Sequence, residues 1–134
     1  MIQLILFIFF TTLIAQTTQQ LNQLQGSCGI KITWLYNTQT KELNLNGQGE
    51  MFNQMKEWDV FRNQVERITF EGDITTIGKA SFHHMNIKSI TIPKQIKIIE
   101  DKAFENCQQL QTIEFEENSQ IETIGENTFK IVIN

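Results

Sequence analysis

The sequence predicts a mainly β fold: a short solenoid of parallel strands built from 22–25-residue repeats, with an N-terminal β-hairpin cap and few short helical turns. Three observations carry this. One line is written three times, as Val-Glu-Arg-Ile-Thr-Phe-Glu (Val65 to Glu71), Ile-Lys-Ser-Ile-Thr-Ile-Pro (Ile87 to Pro93) and Leu-Gln-Thr-Ile-Glu-Phe-Glu (Leu110 to Glu116). A second line lies between the copies: Ile74-x-x-Ile77-Gly78 ending in Phe82, Ile96-x-x-Ile99 ending in Phe104, and Ile121-x-x-Ile124-Gly125 ending in Phe129. The apolar columns step by 22 or 23 residues in the first line and by 22 then 25 in the second, a self-similarity that marks stacked coils. Ahead of the repeats, two alternating segments signal paired strands.

Residues 1–15 read as a secretory signal peptide. Leu4 to Phe10 is an unbroken apolar core and Ala15 a small residue in the cleavage zone; the run is too short to span a bilayer as a helix. The start carries no Lys or Arg and Leu13 is large for its place, so an uncleaved amphipathic or anchoring segment is the alternative. Residues 16–26, rich in Gln, Thr and Asn, are expected to form a flexible linker.

Residues 27–64 are assigned to the cap. Ile30, Ile32 and Trp34 alternate with Lys31 and Thr33 as a half-buried strand, Asn37 to Lys41 suit the loop, and Leu43 and Leu45 return until Gly47 ends the strand. Met55, Trp58 and Phe61 fall at helical spacing, predicting a short helix or turn from about Gln54 to Arg62 that covers the first coil. A solenoid left open there would expose buried side chains and strand edges.

Residues 65–134 hold about three repeats, the last incomplete. Side chains alternate faces along a strand. Ile68, Phe70, Ile90, Ile92, Ile113 and Phe115 therefore point inward. Arg67, Thr69 and Glu71, Ser89, Thr91 and Pro93, and Thr112, Glu114 and Glu116 face out as a grid. Gly78 and Gly125 are expected to provide turns with positive φ, with Glu100 in that place in the middle copy. Phe82, Phe104 and Phe129 should stack as a core column. Ile131 to Ile133 offer a short closing strand, and no polar capping unit follows.

Taken together, the two lines resemble the BspA-like class of leucine-rich repeats, most fully through Ile96, Ile99, Ala103, Phe104, Cys107, Leu110, Ile113 and Phe115. The head segment also resembles the part preceding such repeats, through Cys28-Gly29, Trp34, Leu43 to Met51, and Trp58 to Phe61. The departures are a one-residue deletion after His84, Glu100 in place of Gly, and missing C-terminal repeats. The resemblance implies a secreted or cell-surface, non-enzymatic protein that binds a protein or extracellular-matrix ligand, with no catalytic residue and no cofactor.

The remaining chemistry points the same way. The net charge is −4: residues 31–99 carry 9 basic and 7 acidic side chains, residues 100–134 carry 2 basic and 8 acidic. Clustered basic residues for nucleic acid are therefore missing. The acidic tail reads as a solvated face. Cys28 and Cys107 would have the chance to pair in an oxidising compartment. Cys107, however, stands where Met85 stands one copy earlier, the place of a buried core residue. His83 and His84 read as a surface pair without zinc spacing. The leading expectation is a binding module using Arg67, Thr69, Glu71, Ser89, Thr91, Thr112, Glu114 and Glu116. The alternatives are an assembly protein self-associating through its uncapped C-terminal coil around Phe129 and Ile131 to Ile133, or a truncated fragment of a longer surface receptor.

Overall fold

A computed structural model describes residues 1–131, with side chains for all of these except 19–21. Helix α1 (Ile2–Leu21) comes first, then β1 (Gln23–Gly29), β2 (Ile32–Asn37), β3 (Glu42–Glu50), β4 (Arg67–Ile77), β5 (Ser89–Ile92), β6 (Ile98–Ile99), β7 (Thr112–Phe115) and β8 (Thr123–Ile124). Among the described residues the strands form a six-stranded sheet in the order β1-β2-β3-β4-β6-β8 and a two-stranded sheet β5-β7.

The linker expected at 16–26 takes a different form. Residues 16–21 continue α1, where Thr17 and Thr18 hydroxyls donate to the carbonyls of Leu13 and Ile14, both at 2.8 Å. Residues 23–26 belong to β1, which pairs antiparallel with β2. The cap is thus three-stranded rather than a simple hairpin. No described helix is long and apolar enough to cross a membrane. Ile30, expected inside, sits in the β1–β2 turn and is 91% exposed, whereas Ile32, Trp34 and Tyr36 are buried.

Gly47 does not end its strand. β3 continues to Glu50 and lies parallel to β4, with Leu43 opposite Ile68, Asn44 opposite Thr69, Leu45 opposite Phe70 and Gly47 opposite Gly72. β3 is therefore both the return strand of the cap and the first coil of the solenoid. The two strands bend from one wall of the coil to the other at the paired glycines. Gly72 has φ +80° there, and a Cβ on it would lie 2.3 Å from the Gly47 carbonyl oxygen. On the second wall, Thr76 and Ile77 pair with Ile98 and Ile99, which pair in turn with Thr123 and Ile124.

The helix expected from Gln54 to Arg62 is replaced by two short 3-10 turns, Lys56–Trp58 and Arg62–Gln64, interrupted at Phe61 with φ −135°. Met55, Trp58 and Phe61 nevertheless bury themselves against the first coil. Trp58 heads the phenylalanine column. Its ring stacks on Phe82 at 5.3 Å, Phe82 on Phe104 at 5.2 Å, and Phe104 on Phe129 at 5.5 Å.

The turns expected at Gly78 and Gly125 work differently. Neither has positive φ; the left-handed residues come two later, at Ala80, Lys102 and Asn127. The glycines instead allow close stacking of coils, since a Cβ on Gly78 would lie 2.3 Å from the Phe52 carbonyl oxygen and one on Gly125 2.4 Å from the Asp101 nitrogen. In the middle copy, the Glu100 carboxylate accepts a hydrogen bond from the Lys79 N–H at 2.8 Å.

The core runs from Cys28 to Cys107 and fades after that. Ile113 stands in register with buried Ile90, and Phe115 with buried Ile92, so both face the interior. With no further described coil over them, Ile113, Phe115, Ile124 and Ile131 remain 37% to 46% exposed. The closing strand expected at Ile131 to Ile133 lies outside the described residues.

Candidate functional site

The eight grid residues come together on one wall of the solenoid. Arg67, Thr69 and Glu71 lie on β4, Ser89 and Thr91 on β5, Thr112 and Glu114 on β7, and Glu116 one residue beyond it. Ser89 pairs with Thr112 and Thr91 with Glu114. All are exposed except Thr69, which is half-buried; Pro93, expected outside with them, is buried.

The face extends one coil further forward than the repeats suggest. Asn44 and Asn46 of β3 stand opposite Thr69 and Glu71. The Asn44 amide donates to Thr69 Oγ1 at 3.0 Å and to Glu71 Oε1 at 2.9 Å, and the Asn46 amide donates to Glu71 Oε2 at 3.1 Å. The signal for these residues was present in the sequence. Lys41 to Asn46 aligns with Glu66 to Glu71 at a step of 25, but a hairpin reading of the same residues hid it.

Two hollows interrupt the wall. The β4 and β5 rungs are not hydrogen-bonded to each other, since they belong to different sheets. Between them opens a groove of about 320 Å³ that includes Arg67, Thr69, Ser89, Thr91 and Glu116 in its lining. A second hollow of about 560 Å³ lies forward, against Gln25, Thr33, Leu35, Asn44 and Asn46. The polar part of the lining is hydroxyl, amide and carboxylate with a cation at Arg67, set beside apolar Trp34, Leu35, Ile68, Phe70 and Pro93. Such a face can exchange hydrogen bonds along an extended polar ligand. The Glu116 carboxylate is partly engaged, accepting from the Lys94 N–H at 3.0 Å.

Other candidate groups serve the fold. Arg62 is 7% exposed and ties the cap to the first repeat. Its guanidinium donates to Asp59 Oδ1 at 2.7 and 3.0 Å, to the Met55 carbonyl at 2.9 Å, and to the Ser81 and His83 carbonyls at 3.3 and 2.8 Å. His83 is half-buried rather than a plain surface residue. Its Nδ1 contacts the Ala80 carbonyl and lies 3.2 Å from Arg62 Nη1. Burial, then the charges of Arg62 and His84, pull its pKa below the usual imidazole value against the opposing effects of Ala80 and Asp59. Cys28 and Cys107 are buried and unpaired. Burial pushes their thiols up to about 12 and about 11, so neither forms a thiolate at neutral pH. Among the described residues no three His, Cys, Asp or Glu side chains gather as a metal site.

Residues 30–134 match the family model for the BspA type leucine rich repeat region, in six copies. The chain belongs to the BspA-type leucine-rich-repeat family. Among solved structures, this BspA-type chain is similar to a leucine-rich repeat protein from Eubacterium ventriosum ATCC 27560, known from a crystal structure at 2.50 Å resolution. The TM-score is 0.64 at 22% identity over 77% of this chain, a likeness of fold. The BspA-type chain spans 28% of that neighbour's length. No curated protein matches the sequence. The family suggests a surface protein-interaction module, and such repeats are generally non-enzymatic.

Proposed function

We propose that this chain is an extracellular or cell-surface binding module that engages a protein or matrix ligand through the strand face, after residues 1–15 have been removed as a signal peptide. The observation that carries the reading is a polar face built from two in-register strand pairs, β3–β4 and β5–β7. Asn44, Thr69, Thr91 and Glu114 occupy equivalent rungs, flanked by Arg67, Ser89 and Thr112 on one side and by Asn46, Glu71 and Glu116 on the other. Concave or flat solenoid walls of this kind are common binding surfaces. The groove between the β4 and β5 rungs supplies local relief for specificity.

The test uses Thr91→Trp and Glu114→Arg, both on exposed positions. We expect pull-down of a partner from extracellular extract to be lost for these variants while thermal unfolding is unchanged. Capture at wild-type strength by both variants would remove the strand face as the binding surface.

A second reading rests on the exposed apolar side chains of the last coil, Ile113, Phe115, Ile124 and Ile131. Under it, the chain assembles by covering this end with a further coil. Phe115→Lys is then expected to abolish association, and association unaffected by Phe115→Lys would exclude it.

A further inference from the structure

β1 ends the six-stranded sheet, and no strand lies beside its outer edge among the described residues. The register shows which backbone groups are free there. The Thr38 N–H donates to the Asn22 carbonyl at 2.9 Å, and Gln23 to Ser27 oppose Asn37 to Thr33. Bonded and non-bonded pairs alternate in an antiparallel ladder. Leu24 and Gly26 therefore bond to β2, while Gln23, Gln25 and Ser27 direct their N–H and C=O groups outward. Beyond Ser27 the edge closes at a bulge, where the Cys28 carbonyl accepts from the Phe52 N–H at 2.6 Å. Edge strands are usually protected by charge or proline. β1, Gln-Leu-Gln-Gly-Ser-Cys-Gly, has neither.

The face beside this edge is mostly apolar, with Lys56 and Glu57 also lining it. Leu24 and Gly26 share it with Tyr36 and Trp34, their partners across the ladder. A groove of about 800 Å³ opens here, lined in part by Leu24, Gly26, Trp34, Phe52, Val60 and Phe61. Leu24 is 41% exposed and Val60 76%. Trp34 is 6% exposed, and its indole N–H has no hydrogen-bond partner among the described residues. Gly26 lies directly over that ring, at the position where a Cβ would stand 2.8 Å from indole atoms.

We propose that a second copy of this chain docks on this edge, with the two β1 strands antiparallel about a two-fold axis at Gln25. The free groups are self-complementary in that register. Gln23 of each copy meets Ser27 of the other and Gln25 meets Gln25, giving about six backbone hydrogen bonds, two from each of three pairs. Leu24 of each copy then stands opposite Gly26 of the other, where the Trp34 ring occupies the place of a side chain and offers an apolar contact. Each copy gives and receives the same contact, as a two-fold interface requires. No like charges meet along the strand pair itself, because β1 carries none. One strand pair and one leucine per copy bury less than the roughly 1,200 Å² of a standard interface. The dimer is correspondingly weak, dissociating in the micromolar range or above.

Single cysteines in the full chain test the register. Cα atoms across a hydrogen-bonded antiparallel pair are about 5.5 Å apart, within disulfide reach. Gln25→Cys is expected to form an interchain disulfide on mild oxidation. Gln23→Cys, whose two copies lie on opposite sides of the axis, is not; Cys28 and Cys107 are buried and do not compete. Sedimentation velocity across roughly 1 to 100 μM should show a concentration-dependent dimer for the unmodified chain and for Phe115→Lys, and a monomer for Gln25→Pro. By the register, the proline removes an N–H that bonds nothing among the described residues. Equal cross-linking at positions 23 and 25, dimerisation of Gln25→Pro at wild-type strength, loss of the dimer in Phe115→Lys, or a wild-type chain monomeric throughout would each overturn the proposal.

Discussion

Single side chains set the pH and redox behaviour. His83 is held neutral by burial and by the adjoining Arg62 guanidinium, with its pKa below the unfolded value of 6.5. A lowered native pKa contributes stability above pH 6.5 that is lost as the pH falls through the native value. The urea midpoint is expected to drop between pH 7.5 and pH 5.5, and His83→Gln to flatten that drop. An unchanged slope in the variant would assign the acid sensitivity elsewhere. The two thiols should resist alkylation in the native state and react fully once urea unfolds the chain, as mass spectrometry can follow. Fast native labelling of Cys107 would contradict its burial beside the Phe82 carbonyl, which accepts from its Sγ at 3.1 Å. Tyr36 buries a hydroxyl with no partner among the described residues. Tyr36→Phe is therefore expected to be neutral or stabilising by about 1 kcal/mol in denaturant unfolding.

At the scale of elements, the ring column supplies a graded test. Phe104 is buried and stacks on both Phe82 and Phe129, whereas Phe129 is only partly buried. Phe104→Ala should cost about 3–5 kcal/mol, and Phe129→Ala clearly less. Equal costs would mean that the last coil is better covered than its exposure indicates. The column was legible in the sequence because the columns recur in register and a repeated apolar residue has one way to stack. β3 was not, because Leu43 and Leu45 alternate equally well in a hairpin and in a coil; only their pairing with Ile68 and Phe70 decides, and that is a long-range fact. The glycine turns were misplaced for a related reason. Gly78 answers to the Phe52 carbonyl of the preceding coil and not to its own dihedral. The outward grid followed from alternation alone, but its engagement with Asn44 and Asn46 depended on seeing β3 as a rung. Arg62 left no local signal, since its partners Met55, Asp59, Ser81 and His83 converge only in the fold.

Across the whole molecule, order is unevenly distributed. Buried apolar side chains extend from Cys28 to Cys107, while every described side chain from Gln111 to Gln120 is exposed. Amide exchange should accordingly be slowest in β2, β3 and the first half of β4 and fastest in β7 and β8. Uniform protection would show that the last coil is covered in solution. Nearest-neighbour stacking also means that each coil depends on the one before it.

β3 has a mechanical consequence. It is hydrogen-bonded antiparallel to the cap on one side and parallel to the solenoid on the other, so it is the seam at which coil-by-coil contact gives way to a three-stranded block. Pulled from the C-terminal end, the chain should come apart in steps of about one coil. At roughly 3.4 Å per extended residue, each step releases on the order of 80 Å. The stepping should stop at β3, where the next rupture takes β1, β2 and β3 together as one larger event in an optical-trap trace.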